Sequence, residues 1–124
     1  RCRAGGRPDR VAGFRDTTYG MDRFVPWRRD IYAATDSGKE GHHGLVTDLL
    51  DVSKYDIVLT GGPMVMLRGV AKLCAAAGVP CLASLEKKMA CGRGACRGCT
   101  CHTKIGPGTV CKDGPIFNAQ EVCD

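Results

Sequence analysis

At 124 residues, with 44% hydrophobic and 25% charged side chains, the sequence has the composition of an ordinary globular protein with room for one modest core. No apolar run approaches the ~18 residues that a membrane-crossing helix needs, and the basic stretch RCRAGGRPDR lacks the apolar centre of a secretory signal, so a cytoplasmic location is expected. The net charge of +5 comes from Arg and Lys scattered along the chain without aromatic stacking partners, which reads as a solubility feature rather than a nucleic-acid surface, with a basic docking face as the lesser alternative. Because the chain opens on Arg1 rather than methionine, a truncated or processed product is expected.

Taken in order, Arg10–Phe14 (RVAGF) and Asp30–Thr35 (DIYAAT) are short apolar runs that read as strands, the second closed by the turn-forming DSGKEG. Between them Met21–Val25 reads as a helical turn stopped by Pro26. In HGLVTDLLDV the residues Leu45, Val46, Leu49, Leu50 and Val52 recur at helical spacing, which predicts a short helix. Tyr55–Thr60 (YDIVLT) reads as a strand buried on both faces, as in a parallel sheet. Met64–Gly78 reads as a helix with Gly78 as its C-cap, and Val79–Leu85 (VPCLASL) as another strand. The alternation from Arg10 to Leu85 predicts an α/β fold with a parallel sheet. Past Glu86 apolar periodicity stops and glycine and cysteine dominate, so a boundary is expected near residues 86–89. That divides the chain into an α/β domain, 1–86, and a small cysteine-rich domain, 87–124, too poor in large apolar residues to fold without a bound ion or cluster.

Six of the nine cysteines crowd into the last third, an odd and uneven distribution that does not suit a secreted disulfide framework. Cys91, Cys96, Cys99 and Cys111 are separated by four, two and eleven residues, the ligand order of a plant-type [2Fe-2S] site. Gly92, Gly94, Ala95 and Gly98 give the loop backbone freedom, and their N–H groups can face the sulfurs. Arg93 and Arg97 add positive potential, which raises a reduction potential. Zinc is the competing reading, with Cys91/Cys96 and Cys96/Cys99 as pairs and His102 in reserve, although this succession of spacers is unusual for zinc. Cys101 shares the face of Cys99 in an extended chain but is read as a non-ligand, the set being complete with Cys111. Cys74 and Cys81 read as small buried hydrophobes, and Cys2 and Cys123 carry no functional reading.

LTGGP lies at the carboxyl end of a predicted strand and leads into a helix, where open α/β sheets place ligands; Gly61 and Gly62 permit close approach and Pro63 fixes the turn. TDSGKEG is a second such loop, with Asp36 placed to accept from a ribose hydroxyl, while His42 and His43 read as solvated loop residues. Both loops also read as ordinary chain reversals, and no GxGxxG occurs.

Together ATDSGKEGHHGLVTDLL, YDIVLTGGPMVMLRGVAKLCAAAGVPCLASLEKKMACGRGACRGCTCHTK and VCKDGPIFNAQEV resemble the ferredoxin-reductase-like iron-sulfur flavoproteins. The resemblance is to the electron-transfer subunits of NAD-dependent (class B) dihydroorotate dehydrogenases. It implies an FAD-binding barrel, a nucleotide-binding α/β domain and a C-terminal [2Fe-2S] domain. In that scheme NADH reduces FAD, and electrons pass through the cluster to the FMN of a catalytic subunit, in a heterotetramer serving pyrimidine (UMP) biosynthesis. By position, Cys91, Cys96, Cys99 and Cys111 correspond to the cluster ligands, and Gly62, Pro63 and Met66 to a GPxxM turn near the nicotinamide. Two departures stand out: the barrel, first strand and glycine loop have no counterpart in these residues, and Gly61 occupies a position where many related reductases have cysteine. Competing expectations are an electron-transfer subunit of a ferredoxin or sulfide dehydrogenase type complex, or a zinc-stabilised interaction module.

Overall fold

The two apolar runs at the start of the chain form parallel strands in the computed structural model, which describes residues 9–23 and 31–123. β1 (Arg10–Phe14) pairs with β2 (Ile31–Thr35) in the register Val11↔Tyr32, Ala12↔Ala33, Gly13↔Ala34, and β2 pairs in parallel with β3 (His42–His43). Parallel neighbours need a long crossover rather than a tight hairpin. The turn expected over Met21–Val25 lies partly outside the described residues, with Asp22 and Arg23 in 3-10 geometry. His42 and His43 are exposed as expected, although they are strand residues. The loop between β2 and β3 is tied down by buried Thr35, whose hydroxyl donates to the Glu40 carbonyl (2.7 Å), and by Gly41 (φ +68°), where a Cβ would strike the Ala33 carbonyl.

The helix expected across HGLVTDLLDV is divided. α1 (Val46–Leu49) is one turn, and Val52–Lys54 forms a separate 3-10 turn. Leu50 and Asp51 between them are extended because the Asp51 carboxylate takes the Ser53 backbone N–H (3.3 Å) and hydroxyl, a local alternative to helical bonding. Residues Arg1–Leu50 and Asp51–Asp124 are two compact units.

In the second unit β4 (Val58–Gly61) and β5 (Cys81–Ser84) are parallel and joined by α2 (Met64–Ala77). Leu67, Val70 and Cys74 fall on one helical face and are buried, as are Val58, Cys81 and Ala83. Gly78 (φ +70°) ends the helix, and the Val79 N–H returns to the Cys74 carbonyl (2.9 Å). The expectation that β4 is buried on both faces is corrected: Leu59 is 72% and Ile57 47% exposed, since α2 covers only the face that carries Val58. A single parallel sheet is corrected too. The strands between Arg10 and Leu85 fall into two sheets, one of β1, β2 and β3 and one in which β5 lies between parallel β4 and an antiparallel strand of the cysteine-rich tail, β8 (Ile116–Asn118).

The cysteine-rich tail therefore shares a sheet with the α/β part, and the boundary expected near residues 86–89 lies inside the second unit. It also has elements of its own: a hairpin of β6 (Thr100–Thr103) and β7 (Gly106–Thr109), then the single turn α3 (Val110–Asp113). Cys99, Cys101, Thr109, Val110 and Ala119 are buried, so part of the tail's order comes from packing and strand pairing.

Leu67→Ala should cost about 2–5 kcal/mol in urea unfolding, the usual range for a buried leucine, while Leu59→Ser should change stability by less than about 0.5 kcal/mol. Equal losses would mean that the outer face of β4 is covered.

Candidate metal centre

The cysteine loop leaves β5 and returns to it. Its base is closed by the Ser84↔Ile116 pair and by the Leu85 N–H donating to the Pro115 carbonyl (2.9 Å). Within it Gly92 (φ +66°), Gly94 (φ +82°) and Arg97 (φ +56°) are left-handed, so the chain coils tightly instead of extending. Gly94 has a second constraint, since a Cβ there would lie 3.0 Å from Lys112 Cδ. The Arg97 turn is held by Thr100, whose N–H (3.2 Å) and hydroxyl (2.6 Å) both donate to the Arg97 carbonyl.

Cys111 arrives from the other side on α3. Asp113 Oδ2 accepts from the Thr109 N–H (2.7 Å) and hydroxyl (3.0 Å), which fixes the turn, and the Val110 N–H donates to the Cys99 carbonyl (3.1 Å). The Thr109 contacts hold the Asp113 carboxyl below its ordinary range. Neither Thr109 nor Asp113 was singled out from the sequence; their four-residue separation departs from the S/T-x-x-E capping signature.

This folding aims backbone N–H groups at sulfur. Arg93 and Cys96 N–H both donate to Cys91 Sγ (3.4 Å each), Gly94 N–H to Cys111 Sγ (3.1 Å), Gly98 N–H to Cys96 Sγ (3.4 Å) and Cys111 N–H to Cys99 Sγ (3.4 Å). The thiols also bond to each other in two pairs, Cys96 to Cys91 and Cys111 to Cys99. Donation from the Cys96 N–H, then from Arg93 N–H and the Cys96 thiol, lowers Cys91 to about 6. Cys99 is lowered by the Cys111 N–H and thiol, whereas Cys111, the donor in that pair, is raised. The backbone thus favours sulfur anions, the form in which cysteine binds metal. Among the described residues no three His, Cys, Asp or Glu side chains are grouped as a single ion would require.

The other cysteines have different surroundings. Cys101 is fully buried in the hairpin, its thiol 3.6 Å from the Gly108 carbonyl, and Cys123 is exposed, its thiol 3.6 Å from the Glu121 carbonyl. Cys74 and Cys81 are buried and hydrogen-bonded to each other; burial raises both, and Cys81 reaches about 12. His102 is exposed on β6. Cys2 lies outside the described residues.

On the nucleotide side, Gly62 (φ +142°) packs so closely on Met66 that a Cβ would lie 2.9 Å from its Cε, and Pro63 caps α2, its carbonyl accepting from the Leu67 N–H (3.0 Å). Gly61 is exposed, and a Cβ there would lie 3.6 Å from Ser84 Cβ, an ordinary contact, so a larger residue would fit. Asp36 belongs to the first unit, exposed, its N–H donating to the Phe14 carbonyl (3.1 Å).

Residues 86–123 match the iron-sulfur cluster binding domain of dihydroorotate dehydrogenase B. Over 92% of its length the chain is 45% identical to the electron transfer subunit of dihydroorotate dehydrogenase B (NAD(+)) of Clostridium perfringens, and 42% identical to that of Clostridium acetobutylicum. It spans about half the length of these relatives, 46% in each case. A chain in the structure of an NADH-dependent reduced ferredoxin-NADP oxidoreductase, described for flavin-based electron bifurcation, superposes with a TM-score of 0.81 at 30% identity, covering 96% of this chain and 45% of that one. The resemblance read from the sequence is borne out.

In the metal-free chain, alkylation of Cys91 by iodoacetamide should follow a thiolate fraction that rises through about pH 6, while Cys81, 1% exposed and held up to about 12, should stay unmodified until the chain unfolds. Mass-spectrometric mapping against pH checks both. Cys91 labelling only above the ordinary thiol value of about 8.5 would contradict the first, and labelling of native Cys81 at neutral pH the second.

Proposed function

We propose that Cys91, Cys96, Cys99 and Cys111 hold a [2Fe-2S] cluster in the electron-transfer subunit of an NAD-dependent dihydroorotate dehydrogenase, or in part of one. The observation that carries this reading is the pairing of the four thiols, Cys91 with Cys96 and Cys99 with Cys111, each sulfur facing at least one backbone N–H. Two thiols for each of two irons is what a [2Fe-2S] donor set requires. When bound, the cluster supplies a one-electron relay. The chain's part is to fix its position and tune it: the N–H groups of Arg93, Gly94, Cys96, Gly98 and Cys111 offset negative charge on sulfur, and Arg93 and Arg97 add positive potential.

On this reading residues 1–86 are the nucleotide-binding part and 87–124 the cluster-binding part. The Gly62-Pro63 turn, backed by Met66, would hold the nicotinamide part of NAD(H), and Asp36, considered by itself in the first unit, would accept from a nucleotide's ribose hydroxyl. FAD, held chiefly by regions beyond the matched half of the relatives, would supply the electron exchange between NAD(H) and the cluster. The partner is an FMN-containing catalytic subunit that interconverts dihydroorotate and orotate, in a cytoplasmic heterotetramer of pyrimidine biosynthesis. The names of the curated relatives support the subunit assignment. Among the described residues no helix is long and apolar enough to cross a membrane.

Anaerobic reconstitution with iron and sulfide should give a reddish-brown chain with about two irons and an EPR signal on reduction. Cys96→Ser should lose the cluster and Cys101→Ser keep it. A colourless chain carrying one zinc contradicts the cluster; equal iron loss in both variants contradicts the ligand set.

A further inference from the structure

Residues 86–113 carry six cations, Lys87, Lys88, Arg93, Arg97, Lys104 and Lys112, against two acids, Glu86 and Asp113, and so hold most of the chain's excess positive charge. Three of the cations gather on the cysteine loop. Arg93 and Arg97 bracket Cys96, the exposed sulfur of the four, while Cys91 and Cys111 are half-buried and Cys99 is buried. The aliphatic stem of Lys112 lies against Gly94 of the same loop. All three cations are exposed. Asp113 senses Lys112 and Arg97, but its Oδ2 is engaged by Thr109. Arg97 is also placed against its backbone preference: it sits at φ +56°, where glycine would relieve the strain, yet the position carries a long cationic side chain.

We propose that this cationic rim around the Cys96 end of the loop is a docking face for an acidic patch on an electron-transfer partner protein. The proposal rests on the cluster reading above and names the chemistry of the surface that meets it. Electrons cross only at close approach, and the exposed Cys96 end is where an incoming protein comes nearest to the sulfurs. Three cations against the one carboxylate of Asp113 leave an excess of positive charge there, which steers carboxylates and repels basic surfaces. Residues 86–113 contain no Phe, Tyr or Trp to stack bases, which sets nucleic acid aside.

Two measurements on the full chain test this. Nuclear magnetic relaxation with hexacyanochromate(III), an anionic probe, should broaden amides of residues 92–98 and 112 beyond those near Arg68 and Lys72, and tris(ethylenediamine)chromium(III) should not. Arg93→Glu with Arg97→Glu should abolish the effect, and Arg97→Gly should weaken it without lowering Tm. In the second, the reduced, cluster-loaded chain passes one electron to ferric haem, giving ferrous haem. With cytochrome b5, ringed by carboxylates, the rate should fall about tenfold or more between about 0.01 M and about 1 M salt, as the Debye length shrinks from about 30 to about 3 Å. With cytochrome c, ringed by lysines, it should rise, and the double variant should reverse both trends.

Broadening centred on Arg68 and Lys72, or a salt-independent rate with cytochrome b5, would overturn the proposal. So would displacement of the chromium probe by a single-stranded oligonucleotide but not by cytochrome b5. Iron analysis separates failure of the underlying reading: an iron-free chain with loop-centred broadening binds anions there but has no electron-transfer role.

Discussion

Strand β5 has a partner on each edge, and the geometry of the cysteine loop depends on that. Its parallel bond to β4 belongs to the α/β part of the second unit; its antiparallel bond to β8 brings the chain back after the cysteines. The intervening residues are therefore a closed excursion whose ends are set side by side at Leu85 and Pro115. Closing a loop carries an entropic cost that grows slowly with length, and here the pairing of β5 with β8 holds the two ends together. The hairpin β6–β7 and the turn α3 then subdivide the excursion, so that Cys111 returns to Cys99 rather than trailing away.

The same backbone sorts the thiols. Cys74 on α2 and Cys81 on β5 are buried against each other, where burial penalises the anion and each thiol's neighbour is the other thiol. Cys91 and Cys99 lie in tight turns whose N–H groups point at sulfur, and the anion is favoured. One residue type is thus a small apolar filler in the core and, at Cys91 and Cys99, a favoured anion in the loop. The difference lies in whether peptide dipoles are free to face it. Next to a parallel sheet the amides are already engaged in ladder and helix bonds; in a loop with left-handed Gly92, Gly94 and Arg97 they are not.

How much of this the sequence discloses depends on how local the cause is. α2 is legible because Leu67, Val70 and Cys74 repeat at helical spacing and Gly78 ends the run. The four-sulfur set is legible because its first three members sit within nine residues, where spacing alone limits what they can reach together. Burial of β4 is not, since Ile57 and Leu59 look like core residues until it is known that a helix covers one face alone. β6 and β7 are four-residue segments without an apolar alternation, and β8 is only the three residues IFN; all are extended because of what they pair with. The separation of Cys91/Cys96 from Cys99/Cys111 is likewise hidden, because it follows from turn conformations and from the Thr109–Asp113 contact.

The fold divides four sulfurs into two pairs, and on the cluster reading each pair serves one of two irons. Crystallography of the cluster-loaded chain, with anomalous diffraction collected at the iron absorption edge, tests this most directly. Two iron peaks are predicted, one bonded by Cys91 and Cys96 and the other by Cys99 and Cys111, with Cys101 bonded to neither. A single metal peak shared by the four sulfurs, or an iron bonded by Cys101, would contradict it.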